Sequence, residues 1–250
     1  MRRTGQVLAV LSLLFVLTLV GRAGDTEATA IINKAIKAHF PKGTDTKKQS
    51  VRTKAKGTLH VGGMDLPFTQ EVSVQNGMFK EVMELEAGGQ KVLVTSVFNG
   101  KEAWIRAGPQ DVKVTDEILN EFKDAAYSMG MMQGMFFKDK TVKFSLIGEA
   151  KVKDKDAIGV TISREGKKDI SVYFDKKTGL MAKIEKRGRD FQSGQEVQEE
   201  RFILEYQDVN GNKSAKKIEV LRDGKAFLEA EILEVQSLEK IDDSEFAQPK

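Results

Sequence analysis

Glycine-containing pairs punctuate this chain at short intervals. Gly62-Gly63, Asn76-Gly77, Gly88-Gly89 and Asn99-Gly100 follow one another closely, and Asn210-Gly211 and Asp223-Gly224 repeat the signal near the end. Two-residue hairpin turns need positive φ at both central positions, which Gly and Asn tolerate best. Between the turns the apolar residues alternate. In VRTKAKGTLHV, Val51, Thr53, Ala55, Gly57, Leu59 and Val61 share one face, while Arg52, Lys54, Lys56, Thr58 and His60 share the other. That is a half-buried strand. The pattern predicts strands near 51–61, 66–75, 78–86, 90–98 and 101–107, with a stop at Pro109. It resumes near 141–153, 156–164, 169–175, 179–188, 196–207, 215–222 and 225–237. About a dozen antiparallel strands at this spacing form a barrel or sandwich. No internal repeat supports a propeller.

Two segments switch to helical spacing. Residues 25–40 place Ala28, Ile32, Ala35, Ile36 and His39 on one face, with Asp25 or Thr26 as cap and Pro41 and Gly43 as stop. Residues 114–137, VTDEILNEFKDAAYSMGMMQGMFF, form a helical insertion in the meander. Thr115 is its N-cap, Asp116 and Glu117 complement the dipole, and Val114 staples onto Leu119. Ile118, Phe122, Ala125, Met129, Met132 and Phe136 recur at steps of three and four, and Gly130 and Gly134 predict two short helices or a kink.

The N-terminus addresses the chain. Arg2 and Arg3 precede an apolar run from Val7 to Val20, and Gly21-Arg22-Ala23 offers small residues for cleavage. Residues 1–23 therefore read as a secretory signal peptide, leaving 24–250 as a single β domain of 227 residues. An uncleaved anchor is the second reading, disfavoured because a span needs about 20 apolar residues. Losing Arg2, Arg3 and Arg22 takes Lys plus Arg from 40 to 37, level with the 37 acidic residues. The mature chain then lacks the net basic footprint of a nucleic-acid binder. With no cysteine, a secreted chain of this kind must stand on its hydrophobic core.

Catalytic signatures are missing from the sequence. It holds two histidines, His39 and His60, and no Gly-x-Ser-x-Gly, Walker A or Gly-x-Gly-x-x-Gly pattern. The carboxylates sit in Glu-rich mixtures such as EVQEERFILEYQDV, which read as solvated strand faces. A secreted hydrolase would need an acid/base cluster made by the fold. The expectation is a non-enzymatic protein without cofactor or metal.

The insertion carries the functional signal. Met129, Met131, Met132 and Met135, with Phe136 and Phe137, spread around the helix beyond a single stripe. Methionine adapts to variable apolar partners. Together with Trp104, read as a core or cavity wall, the candidate ligand-contacting set is Trp104, Ile118, Phe122, Met129, Met132, Met135 and Phe136.

The run VFNGKEAWI, a helical insertion, VYFDKKTGLMAKIE and the closing hairpins to FAQP resemble the bacterial outer-membrane lipoprotein-sorting proteins and their LolA-like relatives. Phe174, Asp175, Thr178, Gly179 and Leu180 match a strand ending in Phe-Asp before a Thr-Gly turn, and Ile241, Asp242 and Phe246 match the closing segment. The resemblance implies a mainly β fold: a half-open antiparallel β-barrel whose concave face is covered by helices. It implies a periplasmic carrier of acyl chains of lipid or lipoprotein, with a gating arginine for which Arg52 and Arg106 are the strand-borne candidates. The rival expectation is an envelope assembly protein that binds a polypeptide through the insertion or an edge strand.

Overall fold

The structure, a computed structural model, describes residues 20–43, 50–132, 140–190 and 194–249. After helix α1 (Val20–His39) come β1 (Ser50–Val61), β2 (Met64–Gln75), β3 (Met78–Ala87), β4 (Gln90–Phe98), β5 (Ala103–Ala107) and β6 (Gln110–Val112). Helix α2 (Asp116–Met132) interrupts the strands. Then follow β7 (Lys143–Val152), β8 (Lys155–Ser163), β9 (Ile170–Asp175), β10 (Met181–Arg189), β11 (Glu196–Val209), β12 (Asn212–Arg222) and β13 (Lys225–Leu238). The predicted strands are all present. One more, β6, continues past Pro109, because the turn there lets Gln110–Val112 fold back on Ala107–Ile105.

All thirteen strands form one open antiparallel sheet in the order β6-β5-β4-β3-β2-β1-β13-β12-β11-β10-β9-β8-β7. Every pairing joins neighbours in sequence except β1 with β13, which closes the chain on itself at the centre. Gly57 allows that seam, since a Cβ there would stand 1.9 Å from the Glu229 carbonyl oxygen. The local turn chemistry is as expected: Asn76 and Gly77 have φ of 49° and 77°, and Asn210 and Gly211 have 54° and 85°. Asn99-Gly100 differs. Its Asn99 Oδ1 accepts from the Lys101 and Glu102 amides, making a wider side-chain-closed turn.

This topology places the two sheet edges at β6 and β7, and α2 is in the segment joining them. The sheet must therefore curl so that the helix can bridge its ends. Phe122 stacks on Phe79 of β3, while Met131 joins the cluster of Val160 on β8 and Val172 on β9. Nine helical residues span only about 14 Å. The seven strand steps from β3 to β9 would span about 34 Å if flat. Register shifts in β1/β13, β7/β8, β9/β10, β11/β12 and β12/β13 supply points of bending.

Both helices lie on the concave face. Ala28, Ile32 and Ala35 of α1 are buried among Val160, Ile162, Val172 and Phe174. In the full-length chain the helix starts at Val20, earlier than the sequence suggested, so Asp25 and Thr26 lie inside it there. On the convex face the C-terminus folds back. A 3₁₀ turn, Asp243–Phe246, buries Phe246 and Ile241 against Val97, Met78, Trp104 and Leu238.

Candidate functional site

Helix α2 has a built N-terminus. The Ile118 amide donates to Thr115 Oγ1 at 3.4 Å, and Val114 and Leu119 pack in the same cluster. The helix runs without a break through Gly130 to Met132, and Gly134 lies outside the described residues.

Those flanks differ. On one, Phe122 and Ala126 are buried with Val74, Phe79, Phe98 and Ala103 of β2–β5, and Ile118 and Met129 pack around them. The Phe79, Phe98 and Phe122 ring centroids lie 5.3–6.4 Å apart, within the range of favourable aromatic pairs. On the other, Ser128 and Met131 overhang a cleft floored by Ile162, Ile170, Val172, Phe174, Met181 and Ile184. The cleft holds about 520 Å³ of empty space, part of it open to solvent. A water-sized sphere has only about 40 Å³ in which to move, room for roughly two or three waters.

Beside the apolar floor stand charges. Glu199 is 8% exposed, with Lys186, Arg201 and Arg222 at 3.6, 3.7 and 3.5 Å. Burial would raise the Glu199 carboxyl, but the three cations outweigh it and hold the group below the usual glutamate range. Burial pushes the Lys186 ammonium down, against the pull of Glu199. Across the groove, burial raises Glu81, partly offset by a hydrogen bond from Gln70 and by Arg201. The EVQEERFILEYQDV segment is thus not a solvated face throughout. Its inward residues Glu199 and Arg201 look into the groove, because strand alternation sends every second residue there.

The structure separates the expected ligand-contacting residues. Ile118, Phe122 and Met129 come together, but on the packed aromatic flank. Trp104 lies on the opposite face of the sheet, beside Phe246. Met132 ends α2, while Met135 and Phe136 lie outside the described residues. Met131, which broke the single-stripe pattern, lies over the cleft. Ser128, Met181, Ile184, Lys186 and Arg201 were not singled out, since only the curl of the sheet brings them under α2. The candidate gating arginines both have partners in the fold. Arg52 makes a bidentate pair with Glu245 at 2.7 and 2.8 Å, and Arg106 reaches Asp111 and the Pro249 carbonyl.

An open, curled antiparallel sheet spanned by a helix between its edges defines a LolA-like fold. Solved structures agree. The chain is similar to a DUF1329 family protein from Desulfovibrio piger, with TM-score 0.54 at 14% identity over 90% of this chain and 97% of that one. It is similar to the LolA superfamily protein NE2245 from Nitrosomonas europaea, with TM-score 0.52 at 12% identity, covering 88% and 97%. A domain from Vibrio parahaemolyticus described as outer-membrane lipoprotein-sorting gives 0.50 at 10% identity, covering 89% and 97%. No sequence-family model matches the chain, and no curated relative aligns with it. Among the described residues, no helix is long and apolar enough to cross a membrane.

Proposed function

We propose that this chain is a non-enzymatic binder or carrier of acyl chains, of lipid or lipoprotein, working in the bacterial envelope. The observation that carries the reading is the cleft itself: an apolar floor roofed by Met131 on a helix that bridges both edges of an open sheet. Burying a methylene there is worth about 0.8 kcal/mol, so a fatty chain gains steadily with length. Methionine can repack around a guest of variable shape. The LolA-like fold supports this reading, as does the lipoprotein-sorting description of a structural neighbour. The secretory pattern of residues 1–23 supports the location.

The test is native mass spectrometry with solvent extraction of protein purified gently from its own envelope. Bound acyl lipid is expected, and it should be lost when Met131 and Ile184 are both replaced by Ser. A ligand-free mass, with no uptake of added fatty chains, would overturn the proposal.

A further inference from the structure

The cleft changes character along its length. Successive inward rungs on β10 are Met181, Ile184 and Lys186, and their ladder partners change with them. Met181 pairs with Phe174. Ile184 stands between Val172 and Arg201, and Lys186 between Ile170 and Glu199. Glu199 in turn pairs with Arg222 on β12. At about 3.3 Å per residue, the apolar and charged ends are roughly 15 Å apart, so the groove has a direction.

At its charged end the cleft lining carries two cations, Lys186 and Arg201, and one carboxylate, Glu199. Lys186, Arg201 and Arg222 share Glu199, and Arg222 also faces Asp190 at 3.7 Å. Of the acids on the overlying helix, Asp124 faces Lys167 at 3.5 Å and Lys168 at 3.7 Å, while Glu121 pairs with Lys168 at 3.0 Å and also acts on Lys186. Burial raises the pKa of Glu81, across from Arg201, and lowers that of Lys186. The contacts to Glu199 are 3.5–3.7 Å, looser than the roughly 2.7–2.9 Å of a tight charge-assisted hydrogen bond. One small carboxylate, Glu199, thus faces three cations, of which Arg222 also stacks on the Phe227 ring at 3.5 Å.

We infer that this end is a head-group site: the cleft takes an acyl amphiphile whose anionic head, a carboxylate or phosphate, rests against Lys186 and Arg201 while its chain runs toward Phe174. The inference rests on the acyl-chain reading of the cleft and adds the sign of the head and the direction of the ligand. Arginine forks match both oxyanions. A cationic head is repelled at the same place, and a neutral one gains nothing from the charges.

Calorimetric titration of the purified protein tests this with four probes sharing one chain, each below its micelle concentration: dodecanoate, dodecyl phosphate, dodecanol and dodecyltrimethylammonium. The anions are expected to bind at least about tenfold more tightly than dodecanol, the scale of one hydrogen bond to a charged group, with the cation weakest. Lys186→Met should weaken the anions by about fivefold or more and leave dodecanol unchanged, while Glu199→Gln should tighten the anions. The preferred anion identifies the source, fatty acid or phosphorylated lipid, and either preference supports the site. Equal affinity for dodecanol and the anions in the unaltered protein overturns the head-group site and leaves the acyl-chain reading standing. An anion preference untouched by both substitutions also overturns it. Failure of all four probes to bind overturns the acyl-chain reading itself.

Discussion

The two flanks of α2 are made of different materials. Toward β2–β5 the helix presents Phe122, Ala126 and Ile118 to an aromatic cluster with Phe122 only 5% exposed. Toward β8–β11 it presents Ser128 and Met131 to aliphatic residues with space between them. The aromatic flank is held by three rings of fixed shape, one pair stacked and the others tilted or edge-on. The methionine flank is held by a side chain that rearranges at little cost. The helix is thus anchored on one side and yielding on the other, so a guest is expected to enter between α2 and β8–β11.

Breaking the anchor should have the largest effect. Phe122→Ala removes a stacked ring from a full cluster and is expected to cost about 3–5 kcal/mol. In a thermal melt that is a fall of roughly 10 °C for a domain of this size. Met131→Ala should cost less, about 2 kcal/mol, at the low end for such a truncation because its site already borders empty space. It should impair acyl uptake more than Phe122→Ala does, relative to the stability lost. If Met131→Ala proved the more destabilising, the anchored and yielding sides would have to be exchanged. Thr115→Ala tests the end of the helix shared by both flanks. Loss of that cap is expected to cost about 1 kcal/mol, read by urea unfolding.

The smallest effect at neutral pH concerns α1. His39 Nδ1 donates to the Ala35 carbonyl at 2.9 Å, leaving Nε2 to accept from the Met181 amide at 3.4 Å beside the Tyr206 hydroxyl. The neutral ring fits this arrangement. Burial lowers the His39 pKa below 6.5, only partly offset by the Ala35 carbonyl. The unfolded chain therefore takes up the proton first as pH falls. The stabilising contribution is complete above 6.5 and declines below it, toward the folded-state pKa. The melting-temperature advantage of the native protein over His39→Gln should shrink between about pH 7.5 and 5.5. An unchanged difference would show that His39 does not titrate in this window.

Much of the scaffold was legible in the sequence because its causes are local. Asn76-Gly77 adopts positive φ whatever lies beyond the hairpin, and the alternation from Val51 to Val61 assigns faces without knowing what covers them. The site was far less so. Ile118, Phe122 and Met129 share a stripe at helical spacing, and that stripe is the anchor. Met131, off the stripe, faces the cleft. Spacing says which residues point the same way, and it is silent on which flank will be tightly packed.

Glu199 and Arg201 show the same limit more sharply. Within a run of charged residues they look like the wet face of a strand, yet Glu199 is nearly buried. Local chemistry alone determined the hairpins, the helices and the residues that share each face. The tertiary structure decided that β1 meets β13, that the sheet curls until α2 spans its edges, and that Lys186, Glu199, Arg201 and Arg222 end up together beside an apolar cleft. The reason is physical: turn geometry and alternation act over a few residues, whereas curvature is the sum of twist, bulges and long-range pairing over thirteen strands.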